Sequence, residues 1–143
     1  MLRTTSQVLS LHSNLEETQS SQYIELARRF KVHKETFSGL AKENLRHRDM
    51  ALRAYREGVT DAFEVGFLAE HLNPDDYGLN ETPGDLRGAL KTVINNEETA
   101  IRLCLDVASS SSELIPDLPE TFERLVKRKK RRINRLEELM EQL

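Results

Sequence analysis

Six polar residues stand where apolar ones are expected, and their types are those that ligate metals or form ion pairs. Glu16, Asn44, His47, Glu97, Lys129 and Arg132 each interrupt or flank an apolar series spaced three or four residues apart, the signature of one helix face. In the first helix the series is 9, 12, 16, 20, 23, 27 and 30, and in the third it is 86, 90, 93, 97, 100, 104 and 107. The second series, 37, 40, 44, 47, 51 and 54, takes in Asn44 and His47. The fourth, 122, 126, 129, 133, 136, 140 and 143, takes in Lys129, with Arg132 on the same side. An isolated charge in an apolar core costs several kcal/mol, so six such residues at mid-helix imply one shared polar layer. Carboxylates and imidazoles can hold iron, manganese or zinc there, whereas Lys and Arg have no free lone pair at neutral pH.

Four long helices must position this layer, at about 6–31, 34–57, 83–109 and 118–142. The third opens with Thr82 as a cap, Pro83 in the first turn and Asp85 as a capping acid. Between the second and third, the apolar segment 61–72 reads as a short helix closed by Asn73-Pro74. So long a connection can cross a bundle from end to end, giving one all-α domain over 1–143. The few turn residues, 6 Gly and 4 Pro in 143, argue against many short strands.

The two helical hairpins repeat. An offset of 81 carries Leu9 onto Leu90, Glu16 onto Glu97, Tyr23 onto Cys104 and Ala27 onto Ala108. An offset of 85 carries Phe37 onto Phe122, Leu40 onto Leu125, Asn44 onto Lys129 and His47 onto Arg132. The change of offset falls in the hairpin loop, where insertions cost little. The pattern indicates a duplicated hairpin.

On these residues the chain resembles the ferritin-like superfamily, in particular rubrerythrin-type di-iron proteins without a rubredoxin tail. The resemblance rests on Leu15-Glu16 followed by Tyr23, on Phe37-x-x-Leu40-Ala41 leading to Asn44-x-x-His47, and on the equivalents around Glu97 and Phe122. It implies a ferritin-like four-helix bundle with one Glu from each of two helices and a Glu-x-x-His pair from each of the others. Glu16, His47 and Glu97 keep ligand types, while Asn44, Lys129 and Arg132 replace expected ligands. Glu43, four residues from His47, and His12, one turn from Glu16, are auxiliary candidates. Two ferrous ions bring about four positive charges, which four carboxylates would neutralise. Here two glutamates face two fixed cations, so the layer can be neutral without metal, with Lys129 and Arg132 occupying the metal space.

The favoured function is therefore a non-catalytic structural or interaction role, with no cofactor. One alternative is an iron (or other transition-metal) oxidoreductase or peroxidase with a reduced ligand set. Another is a nucleic-acid or protein adaptor using the basic run 127–132, although no aromatic residues are interleaved with it and acidic residues lie close by. A net charge of −3 does not favour nucleic acid. His33 and His71 read as surface residues. The lone Cys104 reads as a small buried residue opposite Tyr23, and with no disulfide possible a reducing, cytoplasmic setting is expected. No apolar run is long enough to span a membrane. The apolar connector suggests a homodimer.

Overall fold

A computed structural model describes residues 1–58, 67–110 and 117–143. It contains β1 (Leu2–Thr4), α1 (Thr5–Arg29), α2 (Lys34–Gly58), β2 (Phe67–Leu72), α3 (Leu86–Ser110) and α4 (Asp117–Glu141), with 3-10 turns at Lys31–His33 and Pro74–Tyr77. Thr4 caps α1 in a full capping box: its hydroxyl accepts from Gln7 N at 3.2 Å, and the Gln7 side chain accepts from Thr4 N at 3.2 Å. The cap of α3 lies three residues later than expected. Asp85, not Thr82, accepts from Gly88 N at 3.0 Å, while the Thr82 hydroxyl accepts from Arg29 Nη2 at 3.1 Å.

Two apolar clusters fix the helix directions. At one end the start of α1 (Val8, Leu9) meets the ends of α2 (Ala51, Ala54) and α3 (Leu103, Val107) and the start of α4 (Leu118, Phe122). At the other, Tyr23 and Leu26 meet Phe37, Leu40, Leu90 and Leu136. Thus α2 and α3 run parallel, and the segment joining them traverses the whole bundle. Its described part is pinned along the way. Tyr77 donates to Asp106 at 2.6 Å, Asn80 N donates to buried Asn96 at 2.9 Å, and Arg29 Nη1 donates to Pro83 O at 3.1 Å.

Part of the expected connector helix is a strand. Residues 67–72 pair antiparallel with β1, Leu2 opposite Leu72 and Thr4 opposite Phe67; residues 61–66 lie outside the described set. The four-residue spacing of Leu68 and Leu72 suits a helix, but a partner strand at the N-terminus is a non-local contact that periodicity cannot report. Both leucines bury against the chain's own core, so they offer no apolar surface to a second copy. In α4 the inward face runs through Leu125, Lys129, Arg132, Leu136 and Leu139, leaving Ile133 and Met140 half-buried and Leu143 exposed. No helix among the described residues is long and apolar enough to cross a membrane.

Candidate functional site

The two apolar clusters are separated by a buried polar layer. His12, Glu16 and Gln19 come from α1, Asn44 and His47 from α2, Glu97 from α3, and Lys129 and Arg132 from α4; each is at most 1% exposed. Spacings of three and four residues put each helix's members on its inward face. All six residues that interrupt the stripes therefore lie in one layer.

Two ion pairs organise it. The Lys129 ammonium contacts Glu16 Oε1 directly and donates to Gln19 Oε1 at 3.3 Å. Arg132 grips Glu97 Oε1 through Nε at 3.0 Å and Nη2 at 2.6 Å. Its Nη1 donates to Leu40 O at 3.0 Å and its Nη2 to Asn44 Oδ1 at 2.8 Å. The Tyr23 hydroxyl donates to the same Glu97 oxygen at 2.8 Å, and the Arg132 guanidinium lies 5.3 Å from the Tyr23 ring centre. Asn44 links the pairs, accepting from Arg132 while donating to Glu16 Oε2 and Gln19 Oε1, each at 3.2 Å. Only a side chain that both donates and accepts can do this; a carboxylate would turn acceptor towards acceptor.

Burial alone would raise the Glu16 carboxyl's pKa. The Lys129 ammonium, with His47 and His12, outweighs burial and holds it well below the usual carboxylate range. Burial opposes the Arg132 charge as well, but Glu97 prevails and raises its pKa. Burial, reinforced by Glu97, holds the Tyr23 phenol well above its ordinary value, so it serves as a donor. Burial lowers His12 to about 4 and also lowers His47, although Glu16 pulls both upward. Both imidazoles are thus neutral at pH 7. His12 Nε2 and His47 Nδ1 each stand 3.6 Å from a Glu16 oxygen without a hydrogen bond, and His12 abuts the Phe122 ring with centroids 4.9 Å apart.

The donor set does not fit a two-metal centre. Each glutamate already holds a fixed cation, so two divalent ions would add charge that no further carboxylate in the layer offsets. No group of three His, Cys, Asp or Glu among the described residues is arranged to hold a metal ion. Glu43 stands at the edge of the layer, half-buried, with one oxygen 3.7 Å from Arg132 Nη1, and it accepts from Arg135 at 2.8 and 3.2 Å. His71 is exposed, and His33 is half-buried beside Phe37, ring centroids 6.3 Å apart.

Cys104 is buried, and burial pushes its thiol up to about 12. It packs in the cluster across the layer from Tyr23, not opposite it, because the stripes alone do not give the helix directions. Gln19 is the member that periodicity missed: it lies three residues beyond Glu16, and its Oε1 serves both Asn44 and Lys129. A polar residue at that offset from a buried carboxylate was the available signal. No family model, curated protein or solved structure matches the chain.

Proposed function

We propose that this chain is a rubrerythrin-type ferritin-like bundle that has exchanged a metal centre for an ion-pair layer, and that it acts without catalysis, as a structural or interaction protein. The observation that carries this reading is the pairing of Lys129 with Glu16 and of Arg132 with Glu97 at the bundle axis. Those cations supply the positive charge that a ferritin-like centre takes from metal. The repeat supports the duplicated-hairpin origin: Glu16 and Glu97, Asn44 and Lys129, His47 and Arg132, and Phe37 and Phe122 are matched in sequence and all buried. The long crossover between parallel α2 and α3 is in keeping with that architecture. Elemental analysis of protein expressed in iron-supplemented medium tests it. Less than about a tenth of a metal per chain is expected; near-stoichiometric iron that disappears in Glu16→Ala overturns the reading.

One observation favours a second reading, an iron protein with a reduced ligand set. His12 and His47 flank the Glu16 carboxylate with unpartnered nitrogens. That reading requires Lys129 to release Glu16.

A further inference from the structure

The layer takes up only two cations of the basic run on α4; the others face outward, and two of them meet arginines from α2. Arg46 and Arg53 of α2 and Arg124, Arg128, Arg131 and Arg135 of α4 line a groove between the two helices. All six are exposed. Two hollows of about 640 and 600 Å³ share Arg46 and Arg128 and so lie side by side along the groove. The α4 arginines follow a four-three-four spacing, which sets them in a row along one helix face over roughly 16 Å. Lys127 and Lys130 are absent from the lining, so the groove selects the arginines of the run.

Most of these charges are unspent. Arg135 is paired with Glu43, and Arg124 donates to Thr121 at 3.2 Å. Arg46, Arg53, Arg128 and Arg131 have no ion-pair or side-chain hydrogen-bond partner among the described residues. Four like charges along one groove repel, in a chain whose net charge is −3. Guanidinium forks match phosphate oxygens two at a time, which ammonium groups do not. Glu57, Asp117 and Glu120 line one hollow, and the acid lining the other, Glu43, is engaged by Arg135. Among the described lining residues there is no Phe, Tyr or Trp, and His47, the one ring there, is 1% exposed, so bases have no open stacking platform and recognition rests on the backbone.

We infer that the α2–α4 groove binds a linear phosphate polyanion along its backbone, without reading sequence. The chemistry is shared by a nucleic-acid duplex and by inorganic polyphosphate. The inference does not rest on the metal question: none of the six arginines is in the buried layer, although His47 of that layer borders the second hollow.

Fluorescence anisotropy of the full chain with a labelled duplex of about 20 base pairs tests it, with polyphosphate and polyglutamate as competitors. Four free arginines predict a log–log salt slope of about −3.6, an affinity loss of about 150-fold between 50 and 200 mM salt. Arg128→Gln/Arg131→Gln should halve that slope, whereas Lys127→Gln/Lys130→Gln should leave it within a few tenths. Circular dichroism checks that both variants keep their helix content. Duplex binding displaced by polyphosphate assigns the groove to phosphate backbones generally, and polyphosphate binding alone assigns it to the free polymer. Absence of binding to either at 50 mM salt overturns the inference. So does equal loss in the lysine variant, or equal competition by polyglutamate of matched charge.

Discussion

Replacing Lys129 by Met keeps most of the side-chain stem and removes the charge that Glu16 depends on. Both residues are fully buried. After the change Glu16 keeps the Asn44 amide at 3.2 Å but no cation in direct contact. Breaking one side of a buried pair costs about 3–5 kcal/mol, because an uncompensated charge remains. With an unfolding entropy of about 0.3 kcal/mol/K for a chain of this size, a loss of 4 kcal/mol lowers Tm by about 13 °C. Glu16→Gln alone should cost a similar amount by stranding Lys129. The double variant removes both charges, and its Gln can still accept from Asn44, so it should lose only about 1 kcal/mol. Urea denaturation followed by circular dichroism measures the cycle, with an expected coupling of about 3 kcal/mol or more. In Lys129→Met burial is left largely unopposed and raises the Glu16 pKa. A raised folded-state pKa means that protonation favours the fold, so this variant should regain ground on the parent between pH 7 and 5. A loss under about 1 kcal/mol, or single effects that simply add in the double variant, would refute the buried-pair reasoning.

Tyr23→Phe removes one donor to Glu97 and should cost about 1.5–3 kcal/mol by the same denaturation assay; a change within about 0.5 kcal/mol would mean that Arg132 satisfies Glu97 alone. Acid lability should begin early. With His12 held at about 4 when folded and near 6.5 when unfolded, protons bind the unfolded chain preferentially, so stability falls as pH drops from about 6.5 towards 4. His12 alone accounts for about 3 kcal/mol, His47 adds in the same direction, and Glu16 adds further loss below its ordinary carboxylate value. Denaturation midpoints at pH 7.5 and 5 check this, and His12→Phe should flatten the profile. On the proposed ferritin-like reading, Asn44→Glu/Lys129→Glu/Arg132→His builds two Glu-x-x-His pairs and should bind about two ferrous or cobaltous ions per chain. A folded triple variant that takes up no metal would argue against the ferritin-like assignment.

Much of this was legible because charge is so costly in a core. The positions of Glu16, Asn44, His47, Glu97, Lys129 and Arg132 broke a periodic pattern, and burial makes such breaks informative. The four helices followed from the same periodicity, with ends within about three residues. Two things depended on contacts that sequence spacing does not encode. The strand at residues 67–72 exists because an N-terminal segment lies beside it. The arginine groove joins α2 to α4, whereas the α4 run alone set Lys129 and Arg132 inward but did not separate its outward lysines from its outward arginines. Gln19 escaped notice because its role is to accept from Asn44 and Lys129, each on a different helix.

The central claim is that Lys129 and Arg132 occupy the space a metal pair would take. An anomalous-difference map at the iron edge, from crystals of protein purified after iron-supplemented expression, looks at that space directly. The account predicts no peak in the layer, with the Lys129 ammonium against Glu16 and the Arg132 guanidinium against Glu97. A peak beside Glu16 and His47, with Lys129 turned away from the carboxylate, would contradict it.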